Sequence, residues 1–362
     1  MRDDRAAARV LSRWMTLGDA RIVAARGGHI NASFLISDGV SAPRWLLQRV
    51  NRVVFPSPEL VMRNIEAVLA GASASPATDI RLPVLLRTTE GHGWVHDADG
   101  ELWRCWEVMP GLRSTVKVGS TMDAREAGRA FGAFAWIATT IDATLLQETI
   151  PGFHDTPARL ARLELSIARD VRGRADGARE EIALALRYRA LAPLLVTPLQ
   201  SGAIPMRVAH NDAKIANVLF DAGTGQAAMV IDLDTVMPGT PLFDFGDLVR
   251  SSVSRAAEDA TDLTQVEAEP ELYTAVLEGY LSGVGELLTR MERSLLEPAG
   301  RVITWEQAIR FLTDYLDGDT YFATSHREHN LERARAQLAL LGSLEGRRGE
   351  FEALVKSLES RV

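Results

Sequence analysis

The sequence predicts an α+β fold of two lobes, a small antiparallel sheet followed by a larger helical region. Three observations predict it. Up to residue 108, short apolar stretches alternate with turn residues, the mark of strands. Beyond Met109-Pro110-Gly111 the apolar residues recur at helical spacing over much longer runs. Between them lies only a tight Pro-Gly connection, with no repeat and no low-complexity linker. Residues 1–108 are therefore expected to form one lobe and residues 109–362 the other, with a ligand site in the cleft between them.

The elements follow in order. Asp4 to Trp14 reads as an amphipathic helix, with Ala6, Val10 and Trp14 on one face. Strands are expected at Arg21–Ala25, Ser33–Ser37 and Trp45–Val50, separated by Gly27-Gly28 and Asp38-Gly39. Ser57–Leu69 has helical periodicity, and Pro58 suits a first helical position. Val84–Arg87, Gly93–His96 and Leu102–Val108 complete the sheet, with a turn at Asp97–Gly100. Helices are expected at Ala124–Thr140, Pro157–Val171, Ala178–Leu191, Glu269–Leu288, Thr304–Leu316 and Asn330–Leu341. Two strand-like runs, Asn217–Phe220 and Ala228–Ile231, flank a turn at Gly223-Thr224-Gly225.

Composition narrows the function. The formal charge of −8 argues against a general binder of nucleic acid or anionic membrane. Cys105 is the only cysteine, so no internal disulfide, cysteine zinc site or Fe–S cluster is available. The charged start lacks a signal-peptide core, and no apolar run approaches a membrane span; a cytoplasmic protein is the expectation. Lysine occurs only at 117, 214 and 356, so a site needing a cation earlier in the chain must use arginine or histidine.

The chemistry concentrates between His210 and Asp247. His210, Asp212 and Asn217 have the H-x-D and downstream Asn spacing of a phosphotransferase catalytic loop. Phosphoryl transfer needs a carboxylate beside the attacking hydroxyl and oxygen ligands for Mg²⁺ on the nucleotide. Asp212 suits the first task and Asn217 the second. The hairpin formed by Asn217–Phe220 and Ala228–Ile231 returns Asp232 to Asn217. Asp234 is expected to touch a second metal or to support Asp232. The literal D-F-G at Asp244 lies beyond Pro238-Gly239 and Pro241, and reads as a decoy. Asp221, Asp244 and Asp247 are assigned to turns or caps, and His210 to anchoring the loop.

For the nucleotide, Gly28, His29 and Asn31 lie in a glycine-bearing turn whose N–H groups can cover phosphates. Arg49 is favoured over Gln48 as the phosphate-facing cation, because phosphate needs a positive partner; a slip of one residue would reverse the choice. Glu66 is its expected carboxylate partner. Adenine is expected against the connection Trp106-Glu107-Val108-Met109, with Met109 and Leu47 providing apolar faces and Glu107 and Met109 its contacts. Trp103 and Trp106 are expected in the core.

With these residues identified, the chain resembles the aminoglycoside phosphotransferase and choline kinase superfamily, which has a protein-kinase-like bilobal fold. Within it the likeness is greatest to the N-acetylhexosamine 1-kinases. The matching stretches are GGHINASFLI, LLQRVN, PGFHDTPARL, H-N-D-x-K-x-x-N, VIDLDTVMPG with FDFGD, and FLTDYLDGDTYF. The resemblance implies an ATP- and Mg²⁺-dependent kinase acting on the anomeric hydroxyl of an amino-sugar, with a nucleotide-binding first lobe and a catalytic, substrate-binding second lobe. It makes Asp212 the base, Asn217 and Asp232 the magnesium ligands, and Arg310 and Tyr321 sugar contacts. Ala213, in place of threonine, and Ile215-Ala216, in place of a Leu-Asn type pair, depart from the pattern and bear on the sugar more than on the reaction. Kinases for an aminoglycoside, choline, ethanolamine or homoserine are the alternatives within the class, the carboxylates from Asp314 to Asp319 being suited to a cation. A non-catalytic nucleotide-binding pseudokinase is the alternative outside it.

Overall fold

The computed structural model describes residues 2–16, 19–25, 30–73 and 78–359. The first part holds helix α1 (Arg2–Leu11), strands β1 (Ala20–Ala24), β2 (Ala32–Asp38) and β3 (Trp45–Arg49), helix α2 (Pro58–Ala72), and strands β4 (Trp94–His96) and β5 (Leu102–Glu107). The strands form one antiparallel sheet in the order β1-β2-β3-β5-β4.

Alternation along the strands assigns each residue a face. Phe34, Ile36, Leu47, Trp103 and Cys105 pack beneath α1 with Val10 and Trp14. Leu102 and Trp106 point the other way, into a core shared with Val61, Met62, Ile65 and Val68 of α2. That second face looks toward the helical region. Pro58 opens α2 as expected, but Ser57 makes no side-chain capping bond. The predicted strand at 84–87 is absent: Leu85 makes a single bridge to Trp106, and Pro83 precedes it. Proline has no N–H for a ladder and restrains its neighbours, which keeps this edge short.

The second part begins with β6 (Leu112–Arg113) and α3 (Thr121–Ala138), then α4 (Thr156–Arg169), α5 (Arg179–Arg187) and α6 (Pro193–Gln200). Strands β7 (Arg207–Ala209), β8 (Val218–Asp221), β9 (Ala227–Val230) and β10 (Met237–Gly239) follow. Helices α7 (Pro241–Ser252), α8 (Pro270–Val284), α9 (Arg290–Ser294), α10 (Leu296–Asp317), α11 (His329–Gly346) and α12 (Arg348–Glu359) complete it. Sequence periodicity missed α6, whose PLLVTPLQ run is apolar throughout and contains Pro198, and it missed α12. The expected helix at 178–191 ends at Arg187 and continues as a 3₁₀ turn.

The closest helix contact joins α3 and α8. An added Cβ on Gly128 would meet Val276 O at 2.4 Å, and one on Gly279 would meet Arg125 O at 1.9 Å. Gly132 and Gly283 continue the seam. Glycine in a helix costs about 1 kcal/mol against alanine; here it lets two backbones touch. The site-bearing strands rest on α3, and α7 and α10 close the core beneath them. No single helix among the described residues is long and apolar enough to cross a membrane.

Candidate active site

Residues 210–217 link β7 to the β8–β9 hairpin, and backbone hydrogen bonds hold this loop from several sides. Asp244 accepts from the N–H groups of His210 (2.9 Å) and Asn211 (2.7 Å). The expected role of Asp244 as a cap is corrected: Thr240 caps α7, and Asp244 fastens the loop. Its carboxyl is pushed up to about 6 by burial, against the pull of His210 and the two N–H groups. Asp247 likewise is no cap; it pairs with Arg250 at 2.6 Å. Asp221 does organise its turn, accepting from Gly223 and Thr224 N–H.

Asn211 has φ 62°, a left-handed conformation that asparagine tolerates. Its amide donates to the carbonyls of Ala209, Thr235 and Met237, tying the loop to β10. A residue without that amide would lose all three of these ties. His210 donates from Nε2 to Ile231 O at 2.9 Å, with its ring between the edges of Phe131 and Phe134. A further support comes from outside the motif. His154 donates from Nε2 to Asn211 O (3.0 Å) and from Nδ1 to Glu306 (2.8 Å), which also accepts from Thr156 (2.7 Å). All three side chains are buried.

This scaffold presents Asp212. Its carboxylate accepts from Lys214 Nζ at 2.7 Å and from Asn217 Nδ2 at 3.1 Å. Burial pushes the Asp212 carboxyl up, but Lys214, with help from His210 and Arg250, brings it down to about 2. Burial likewise works against the Lys214 charge, and Asp212, Asp232 and Asp247 outweigh it. Sequence reasoning quoted Lys214 inside the motif and gave it no role. It was legible as one of three lysines set two residues from the key aspartate.

The hairpin does what its pattern required. Val218 pairs with Val230, and Ile231 N–H donates to Asn217 O at 2.9 Å, so Asp232 follows directly beside Asn217. Asp232 has φ 64°. Its carboxyl touches solvent, has no hydrogen-bond or ion-pair partner among the described residues, and is pushed up to about 7 by the surrounding protein, then by Asp234. Asn217 gives its N–H₂ to Asp212, which leaves its Oδ1 open. A carboxylate and an amide oxygen side by side fit Mg²⁺, which takes one or two protein oxygens with phosphates and water. Among the described residues no group of three or more His, Cys, Asp or Glu would hold a metal by itself.

Asp234 is otherwise engaged. It pairs with Arg104 Nη1 at 2.5 Å and accepts from Asn31 Nδ2 at 2.7 Å, linking the sheet to the loops. The sheet's contribution corrects two expectations. Gln48, opposite Arg104 in the β3–β5 register, faces the loops; its Oε1 accepts from Arg104 Nε (3.1 Å) and Trp106 Nε1 (2.8 Å). Arg49 is on the reverse face, 5.8 Å above the Trp103 ring, in a groove of about 1150 Å³ with Arg5, Arg9 and Asp97. Leu47 is also on that reverse face and cannot border a base held against the other. Glu66 pairs with Arg87, not Arg49. Arg104 was legible: a charge flanked on both sides by apolar residues in 102–106 has to be paired if buried.

Glu107 is exposed and Met109 half-buried; Val108 N–H donates to Arg44 O, and no hydrogen bond occupies Met109 N–H among the described residues. Gly28 and His29 lie outside the described residues. Trp103 and Trp106 are core, as expected. On the opposite side, Arg310 stands 4.7 Å over the Phe153 ring and within 6.0 Å of Tyr321.

Residues 21–287 match the family model of the phosphotransferase enzyme family (APH). The chain belongs to this family. It is a phosphotransferase with an alcohol group as acceptor. Solved structures of the same fold include a microcompartment-associated aminopropanol kinase, at 20% identity over 97% of this chain and 99% of that one, TM-score 0.66. An aminoglycoside phosphotransferase from Alicyclobacillus acidocaldarius shares 14% identity over 95% of this chain and 96% of its own, TM-score 0.60. A spectinomycin phosphotransferase solved with ADP and spectinomycin shares 10% over 94% and 98%, TM-score 0.58. The phosphotransferase fold thus agrees with the kinase-like, bilobal α+β expectation.

Proposed function

We propose that this phosphotransferase is an ATP- and Mg²⁺-dependent kinase that phosphorylates the anomeric hydroxyl of an N-acetylhexosamine. The observation that carries the reaction is the meeting of Asp212, Asn217 and Asp232 on two adjoining loops. The likeness of the H-N-D loop and of the FLTDYLDGDTYF segment to the sugar 1-kinases supports the acceptor.

In this reading Asp212 orients the acceptor hydroxyl and takes its proton. In a loose transition state the hydroxyl proton leaves late, so an ionised carboxylate that orients the hydroxyl suffices. Lys214 holds the carboxylate ionised and in place. Asn217 Oδ1 and Asp232 would hold magnesium, which when bound neutralises charge on the phosphates. Asp234 fixes Asp232's neighbourhood through Arg104, and this buried arginine acts through its charge and not by touching phosphate. Adenine would rest against Glu107 to Met109, with the open Met109 N–H as donor.

Asp212→Asn tests the core of the reading. It should keep ATP affinity, measured by calorimetry, and lose transfer by about 10²–10⁴-fold in an ADP-release assay. Turnover within tenfold of wild type refutes the assignment. Product NMR with a panel of sugars and amino alcohols then reads the acceptor: a new anomeric phosphate supports the sugar 1-kinase, and an alkyl phosphate on an amino alcohol replaces it. The aminopropanol kinase neighbour favours that second reading. Against it, the carboxylates suited to a cationic acceptor are engaged: Asp314 accepts from Thr320, Tyr321, Phe322 and Asn330, Asp317 pairs with Arg162, and Asp319 with Arg174. Magnesium-dependent ATP binding with no transfer to any alcohol would instead indicate a pseudokinase.

A further inference from the structure

Beside the loop that carries Asp212, two arginines meet without a carboxylate partner. Arg159, on the first turn of α4, donates from Nε and Nη2 to the carbonyl of Phe153 (3.3 and 3.0 Å). Arg310, on α10, lies 4.7 Å over the ring of the same Phe153, 5.6 Å from Phe322, and donates from Nη1 to Gln307 (3.0 Å). Neither forms an ion pair within 4.0 Å among the described residues. Each guanidinium has five N–H donors, so three remain on Arg159 and four on Arg310 after these bonds. None of those nitrogens is buried without a partner, so the free donors face open space.

The pair is close enough to matter electrostatically. Burial, then the charge of Arg310, lowers the Arg159 pKa. Two carboxylates act on Arg159, Glu306 and Asp155; Glu306 is already occupied by His154 and Thr156, and Asp155 caps α4 by accepting from Ala158 N–H. Through that same His154 the cluster is one hydrogen bond from Asn211, the residue before Asp212. Two half-buried like charges destabilise each other unless an anion sits between them. Elsewhere buried arginines are matched: Arg104 with Asp234, Arg250 with Asp247, Arg301 with Glu297. The exception lies beside the loop that carries Asp212, to which His154, next to Phe153, is hydrogen-bonded at Asn211 O.

We propose that the acceptor is acidic, bearing a carboxylate or phosphate that seats between Arg159 and Arg310 while its ring rests on Phe153 and Tyr321. This rests on the sugar-kinase reading and narrows it to an acidic amino-sugar. A planar guanidinium fork recognises an oxyanion with two parallel hydrogen bonds, whereas a neutral hydroxyl satisfies one. The aromatic rings supply the apolar face a pyranose ring needs.

The test uses three probes that share one ring: N-acetylglucosamine, its 6-phosphate, and N-acetylmuramic acid. Binding to the full chain is measured by calorimetry, and turnover by ADP release. At least one acidic probe should bind about tenfold or more tightly than the neutral sugar. Arg159→Gln and Arg310→Gln should each erase that preference, and Arg310→Lys should restore only part of it. Arg162→Gln, which removes an exposed charge paired with Asp317, should leave the preference intact. Equal binding of all three probes by the wild type, or a preference that survives both glutamine variants, overturns the acidic acceptor. Inorganic phosphate that competes with N-acetylglucosamine 1-phosphate but not with the acidic probes would assign the arginines to the transferred phosphate and overturn it also. Arginine-dependent binding of an acidic probe with no turnover supports the anion seat and sinks the sugar-kinase reading. Turnover of the neutral sugar alone, unchanged in affinity by Arg159→Gln, does the reverse.

Discussion

The helical region and the sheet approach the same few carboxylates by different means. The helical region immobilises Asp212 through its backbone: Asp244, Thr235, Asn211 and His154 bind the peptide groups that lead into it. The sheet reaches the site through side chains, with Arg104 and Asn31 meeting Asp234 and Gln48 bracing Arg104. A base must be held to a fraction of an ångström, and backbone anchors do that. In the proposed reading the sheet covers a nucleotide that must enter and leave, and side-chain contacts can part and re-form.

Breaking the helical half should cost most. Asp244→Ala strands two buried N–H groups, at about 1–3 kcal/mol each. A loss of about 2–5 kcal/mol in denaturant unfolding is expected, with transfer falling along with it. A stable Asp244→Ala with full activity would mean the loop is held by something else. Next comes the seam under the site: Gly279→Ala forces a methyl into Arg125 O and should cost about 1–3 kcal/mol without changing the KM for ATP in the remaining folded fraction.

Glu306→Gln sharpens the comparison through pH. Burial raises the Glu306 carboxyl, but His154, Arg310 and Thr156 together hold it below its usual value of 4.5. A depressed acid contributes stability that is present above its unfolded pKa and disappears as pH falls through its folded one. The Tm gap between wild type and Glu306→Gln should therefore be full at pH 7 and shrink below about pH 4.5. A constant gap at every pH would show that the carboxylate charge is irrelevant to it.

The two sheet arginines give the smallest and most discriminating contrast. Arg104→Gln unpairs buried Asp234 and should raise the KM for ATP by about tenfold or more. Arg49→Gln, on the reverse face of the adjoining strand, should change that KM by less than about twofold and stability by less than about 0.5 kcal/mol. Reversal of this order would restore Arg49 as the phosphate-side cation.

What sequence could and could not reveal follows the range of the interactions. The H-x-D and Asn spacing and the hairpin are local; antiparallel pairing across one short turn carries Asp232 back to Asn217, even with a register shift between Leu219 and Phe220. Face assignment in β3 was not local. Gln48 and Arg49 differ by one residue, and both alternatives fit the pattern. The partner strand decides, because Gln48 has to pair with Arg104 and Trp106 while Arg49 covers Trp103. Asp244 misled for the same reason: its sequence neighbourhood is a helix start, and its purpose lies 33 and 34 residues upstream.

By itself, then, the sequence determined the class of fold, the phosphotransferase chemistry and the three residues that meet on two adjoining loops, since each depends on spacing within one strand, turn or loop. Only the tertiary structure decided which arginine the sheet turns inward, what fastens the catalytic loop, and that Arg159 meets Arg310. Those depend on residues 33 to 152 positions apart, and nothing in a local period says which buried charge a distant strand or helix will neutralise.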